Sequence, residues 1–250
     1  MNVLNLNKLN DFVNENIITF HQRRISSLEK LTLNRLLKKN PYLFKAKNLT
    51  IASNLISSLL EAFLSSSEEP IFGEFLEDLA VYIAGVTCNG HKSSTTGVDL
   101  EFFNKDTYYI VSIKSGSNWG NSSQQKKLEQ DLQNAMVRMK QSKKTGNVQP
   151  VLGICYGKTK TVYRRGYLKV VGQNFWYLIS ENPELYTDII EPIGYHAKEH
   201  NDNYSKEKAR VINKFTKDFM ETFCNSHGDI KWNKLVEFNS MNLDLDNFIS

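Results

Sequence analysis

The sequence predicts an α/β fold: a central β-sheet flanked by helices, with further helical elements at both ends. Three observations lead there. The middle of the chain carries short alternating or apolar runs bounded by turn formers, which is the pattern of strands. Both ends carry apolar residues at spacings of three and four, which is the pattern of amphipathic helices. A helix-period run, with Leu128, Leu132, Ala135, Met136 and Met139 on one side, lies between two strand runs. The 250 residues suit one domain with an appended subdomain.

Residues 3–38 place Leu6, Leu9, Val13, Ile17 and Phe20 on one stripe, continued by Leu28, Leu31 and Leu36. That predicts one long helix or two, stopped by Asn40-Pro41. Residues 49–64 predict another helix, lined by Ile51, Leu55, Leu59 and Phe63. Ser65 to Pro70 reads as a loop. It would separate a helical N-terminal arm, residues 1–68, from a core at 69–180. Residues 72–85 predict the next helix, with Phe72, Phe75, Leu79 and Ile83 inward and Glu74, Glu77 and Asp78 making it acidic.

Residues 88–97 form a polar loop in which Lys92, Ser94, Thr95 and Thr96 suit phosphate or groove contacts, and equally any exposed loop. Then come two strands, Gly97 to Glu101 and Tyr108 to Gly116, joined at Asn104-Lys105-Asp106. The following loop holds Ser117, Asn118, Trp119 and Asn121, whose hydrogen-bonding side chains and two glycines let a ligand approach the backbone. The next helix begins at Ser122 or Ser123 and carries Lys126, Lys127, Arg138, Lys140, Lys143 and Lys144. Residues 149–157 read as a buried strand. Residues 160–172 read as a hairpin turning near Gly166, with Arg164 and Arg165 beside the turn, able to clamp phosphate or read guanine, or simply solvated. Asn174 to Ile179 begins a helix. From residue 181 a C-terminal helical region is expected to pack on the core. His196, Glu199, His200 and Asp202 fall in a strongly polar stretch there and are assigned no role.

Cys88, Cys155 and Cys224 are odd in number, far apart and in no metal-ligand spacing, so reduced thiols are expected. No apolar run is long enough to span a bilayer, and no signal peptide is visible, so no membrane partner is expected. The net charge of +4 hides an asymmetry. Residues 105–172 carry 13 Lys or Arg against 3 Asp or Glu, while residues 181–250 carry 8 against 13. A local basic excess suits nucleic acid, where phosphate neutralisation dominates affinity, and also suits a solvated face.

Lys114 lies 15 residues after Asp99. Because strand side chains alternate with period 2, a hairpin of these lengths can bring both to one end of one face. A carboxylate, a backbone carbonyl and a substrate phosphate can hold Mg2+, and a lysine beside them can orient an attacking water. The plain alternative is a surface Asp and Lys at a strand end. Glu101, two residues from Asp99, could approach a metal or take a polar surface position.

Asp99 and Lys114, with Gly73-Glu74-Phe75-Leu76-Glu77 on the preceding helix, resemble the PD-(D/E)xK nuclease superfamily and, within it, the type II restriction endonucleases. The runs Lys39 to Phe44, Ser115 to Asn121 and Cys155-Tyr156-Gly157 extend the resemblance over residues 28 to 175. It implies a restriction-endonuclease-like core with a mixed central sheet. The family's second acid position is Ser112 here, a Ser-x-Lys variant whose missing acid comes from elsewhere. The resemblance implies Asp99 and Glu77 as metal-side carboxylates, the Ile113 carbonyl as a further ligand, Lys114 as the catalytic lysine, and Glu129 as a candidate for the displaced acid. It implies Mg2+ as cofactor, double-stranded DNA with a palindromic site as substrate, a homodimer with contacts from the N-terminal arm, and a prokaryotic cytoplasmic setting. A cognate DNA methyltransferase would be a functional partner. A repair or junction-resolving nuclease of the same superfamily, and a DNA-binding protein that has lost catalysis, are the alternatives; Ser112 keeps the second open.

Overall fold

The computed structural model describes residues 2–142, 147–194 and 197–244. Lys143, Lys144 and His196 lie outside the described residues. A mixed six-stranded sheet has the order β1-β2-β3-β4-β6-β5. The strands are β1 (His91–Lys92), β2 (Leu100–Asn104), β3 (Thr107–Gly116), β4 (Val148–Tyr156), β5 (Val162–Arg164) and β6 (Tyr167–Val171). The β1–β2 and β2–β3 pairs are antiparallel, the β3–β4 and β4–β6 pairs are parallel, and β5 pairs antiparallel with β6. The α/β class and the mixed sheet are as expected.

The β2–β3 hairpin closes through Lys105 and Asp106, both at positive φ (45° and 62°). Two left-handed central residues make a turn whose twist matches the flanking strands. The parallel β3–β4 pair needs a crossover, supplied by α5 (Ser122–Gln141).

By internal contacts the chain divides into two units, residues 1–20 with 70–197 and residues 21–69 with 198–250. In the first, the sheet is covered on both faces. Leu9, Val13 and Ile17 of α1 (Leu6–Glu29), Phe75, Leu79 and Ile83 of α4 (Ala52–Cys88), and Phe175, Trp176 and Ile179 of α6 (Gln173–Ser180) pack with Leu100, Phe102, Val111, Ile113 and Val151. Leu128, Leu132 and Ala135 of α5 pack with Val98, Ile110, Leu152 and Ile154 on the other face. Gly153 is required where it stands, since a Cβ there would meet the Phe175 ring at 2.3 Å.

In the second unit, α2 (Leu33–Leu36), α3 (Pro41–Ala46), α9 (Ala197–Phe223) and α10 (Trp232–Phe238) join the adjoining turns of α1 and α4. Leu36, Phe44, Leu55, Ile56, Leu60, Phe219 and Leu235 form its core. Arg24 bonds Glu68 at 3.0 Å and lies over the Tyr204 ring, whose hydroxyl donates to the same Glu68 oxygen at 2.6 Å.

Two expectations are corrected. Asn40-Pro41 begins a helix rather than merely ending one: Asn40 caps α3 and Pro41 takes its first turn, where a missing N–H costs nothing. The segment Ser65 to Pro70 is not a loop but the interior of α4. The serine hydroxyls return to their own helix, Ser66 Oγ to the Ala62 carbonyl at 3.0 Å and Ser67 Oγ to Leu64 at 3.1 Å, instead of pulling the backbone out of it. Among the described residues, no helix is long and apolar enough to cross a membrane.

Candidate active site

The Asp99 N–H donates to the Val111 carbonyl at 2.8 Å, so backbone pairing with β3 already holds at this residue. Alternation along β3 buries Val111 and Ile113 and turns Ser112 and Lys114 toward Asp99. Asp99 Oδ2 accepts the Ile113 N–H at 2.6 Å and the Ser112 hydroxyl at 3.3 Å. Lys114 Nζ stands 3.7 Å from that oxygen and donates to the Ile113 carbonyl at 2.7 Å. A carboxylate, a carbonyl and an ammonium therefore meet at one place. The Trp119 ring centroid lies 5.9 Å from the same Nζ, within reach of a cation–π attraction.

Helix α4 supplies the second carboxylate. At Gly73 it lies beside the end of β3, where a Cβ would sit an ordinary 3.6 Å from Ser115, so space alone does not demand glycine. One turn further on, burial pushes the Glu77 carboxyl above its usual range, and the charge of Asp99 pushes it the same way. The two negative charges thus disfavour one another, which is costly unless a cation offsets them. Lys92 partly offsets this: its Nζ lies 3.3 Å from Glu77 Oε1 and 3.3 Å from Asp78 Oδ1. Cys155 is buried, with its thiol pushed up to about 12, first by burial and then by the Glu77 charge, so it stays a neutral packing residue.

The groups these residues offer to a cation, the Asp99 and Glu77 carboxylates and the Ile113 carbonyl, are all oxygen. Among the described residues no three His, Cys, Asp or Glu side chains cluster to hold a metal. A hard cation that keeps several waters fits the oxygen set, since it needs only one or two protein carboxylates beside the substrate phosphate.

Other expected site residues are placed as follows. Ser112 is 2% exposed and serves as a donor to Asp99. Glu129 pairs with Arg165 NH1 at 2.7 Å, and the carboxylate whose charge state is linked to Asp99 is Glu77. Glu101 is 5% exposed and enclosed by the Tyr108 hydroxyl at 2.5 Å, by Thr95 Oγ1 at 3.4 Å and by the Ser93 hydroxyl, so it is a buried strut of the hairpin. Ser94, Thr96, Asn118, Lys126 and Arg164 are exposed. Asn121 caps α5 and Thr95 is half-buried. The Ser117 hydroxyl is buried without a hydrogen-bond partner, and Trp119 packs on the α5 side of the sheet. For Lys92 the sequence suggests a phosphate or groove contact, or a plain exposed loop position. Its pairing with Glu77 carries no sequence signal beyond the acidity of the helix, because the composition of residues 88–97 is that of a loop, whereas His91 and Lys92 form β1.

No curated protein matches the chain by direct comparison. The family model described as type II restriction endonuclease EcoO109I matches residues 7–201, which is most of the chain and includes the whole cluster described above. This chain therefore belongs to the type II restriction endonuclease EcoO109I family, whose members are site-specific deoxyribonucleases acting on double-stranded DNA.

Proposed function

We propose that the chain hydrolyses phosphodiester bonds of duplex DNA at one palindromic sequence, with Mg2+ as cofactor and Asp99, Glu77, Ile113 and Lys114 as its centre. The observation that carries this reading is the convergence of the Asp99 carboxylate, the Ile113 carbonyl and the Lys114 ammonium. Asp99, Glu77 and the Ile113 carbonyl would hold the cation. When bound, it supplies Lewis-acid stabilisation of charge on the phosphoryl oxygens.

The residues of this chain do the rest. Lys114 orients the attacking water, with its ammonium held between Asp99 and Ile113 in the meantime. The Ile113 N–H and the Ser112 hydroxyl fix the Asp99 carboxylate, so its orientation is set before substrate arrives. The water oxygen bonds to phosphorus and gives up a proton to solvent, the bond from phosphorus to the 3′ oxygen breaks, and that oxygen takes a proton from solvent. The products carry a 5′-phosphate and a 3′-hydroxyl. Glu77 would supply the second acid that Ser112 does not, a reading supported by the upward push that the Asp99 charge adds to burial at its carboxyl.

The exposed Ser94, Thr96, Asn118, Lys126 and Arg164, with Trp119 beside Lys114, would face DNA. A palindromic site calls for a two-fold homodimer. Exposed Tyr42, Leu43 and Ile51 support dimer contacts from the N-terminal helices. A cognate methyltransferase would protect the cell's own sites. Removing divalent ions with a chelator should stop plasmid cleavage, and Mg2+ should restore it. Undiminished cleavage in excess chelator would refute the metal assignment.

A further inference from the structure

Lys92 sits on β1, a strand of two residues at the sheet edge, paired with Leu100. The Ser93 N–H donates to the Asp99 carbonyl at 3.1 Å, so the backbone that carries Lys92 is tied to the residue that carries the principal carboxylate. The Lys92 side chain itself is 61% exposed, and its ammonium bridges Glu77 and Asp78 at 3.3 Å each. Three carboxylates, Glu77, Asp78 and Asp99, thus face two ammoniums, Lys92 and Lys114. Lys114 is half-buried and bonded to Ile113, whereas Lys92 ends in solvent on a long stem that can swing away.

We propose that Lys92 is a built-in counter-ion that occupies the electrostatic place of the divalent cation at Glu77, and that a DNA phosphate draws it off. This rests on the reading of Glu77 as a metal-side carboxylate. Without DNA, the ammonium lowers the affinity of Glu77 for a cation, because like charges compete for one carboxylate. A phosphate arriving at the β1 edge offers Lys92 a new partner and leaves Glu77 to the metal. DNA and cation then bind with positive coupling through one side chain, and each strengthens the other by the same factor. The device keeps the metal loosely held until substrate is seated. Lys92 is in this sense a positioning residue, acting on the reaction through Glu77.

The test is Mn2+ binding to the full chain, followed by the electron paramagnetic resonance of free Mn2+, with and without a short phosphorothioate duplex of arbitrary sequence. Without duplex, Lys92→Gln should bind Mn2+ about 5-fold or more tightly than the unaltered protein, with Lys92→Arg unchanged. Added duplex should tighten Mn2+ binding in the unaltered protein and much less in Lys92→Gln. Equal or weaker Mn2+ binding by Lys92→Gln overturns the proposal. Glu77→Gln separates the two levels. If it weakens Mn2+ binding while Lys92→Gln fails to tighten it, only the role of Lys92 falls. If Glu77→Gln leaves Mn2+ binding unchanged, the assignment of Glu77 falls, and the role of Lys92 with it.

Discussion

Lys114 Nζ lies 3.7 Å from Asp99 Oδ2 across the β2–β3 hairpin, and the same oxygen is held at 2.6 Å by the Ile113 N–H. The lysine is therefore aimed by its own strand at a carboxylate that the strand also fixes. Lys114→Ala should lower single-turnover cleavage by about 10²–10⁴-fold while leaving duplex affinity within a few-fold in a gel-shift assay. Loss of both would make Lys114 a structural residue.

Glu77 and Glu129 should part company. Glu77→Gln is expected to raise the Mg2+ concentration needed for half-maximal cleavage about tenfold or more, as removal of one charged oxygen ligand does. Glu129→Gln should leave turnover within about twofold, because Glu129 is half-buried against the exposed Arg165, and a pair with one partner in solvent contributes little to stability. A turnover defect in Glu129→Gln equal to that of Glu77→Gln would assign Glu129 as the displaced acid.

The burial of Glu77, with the Asp99 charge adding to it, has a sign in stability. Because the folded-state pKa of Glu77 is raised, the folded protein holds its proton more tightly than the unfolded chain does. Its ionised form therefore lowers stability, an effect that grows as pH rises from the usual carboxylate range through the raised value and is complete above it. In metal-free buffer, Glu77→Gln should raise the melting temperature at pH 7 by roughly 1–3 °C. The gain should shrink toward zero as pH falls below the usual carboxylate range. An equal gain at both ends of the pH range would assign the effect to packing rather than charge.

The helices, the strands and the hairpin are legible because each rests on local periodicity and turn chemistry. Lys105 and Asp106 make a tight turn, and Leu128, Leu132 and Ala135 recur at helical spacing. Asp99 and Lys114 are legible for the same reason, since alternation along one hairpin brings them together. What was not legible depends on contacts between distant segments. Nothing local shows that Arg165 takes Glu129, or that Lys92 takes Glu77. The break expected at Ser65 to Pro70 fails because hydroxyl back-bonding and packing decide the outcome, and neither is written in loop-like composition.

Ser112 is a buried donor to Asp99, and its loss should be felt more in stability than in chemistry. Ser112→Ala is expected to cost about 1 kcal/mol, seen as a melting temperature lowered by roughly 2–4 °C, with cleavage reduced less than about tenfold. A loss of cleavage as deep as that of Lys114→Ala would place the hydroxyl among the reacting groups.

Gly153 tests the sheet that carries the site. Gly153→Ala drives a Cβ into the Phe175 ring and should cost roughly 1–3 kcal/mol. Adding Phe175→Leu should recover part of that loss, a coupling that a chemical denaturation cycle measures directly. Fully additive losses would mean that the two positions do not share one space.

The most direct measurement is digestion of one sequenced plasmid by the unaltered chain in Mg2+, with the fragment ends mapped and their phosphates assigned. The expected result is a discrete set of fragments ending at a single palindromic sequence, each with a 5′-phosphate, and no fragments from Lys114→Ala. Tight binding without cleavage in any divalent metal, or cuts scattered without sequence preference, would contradict it.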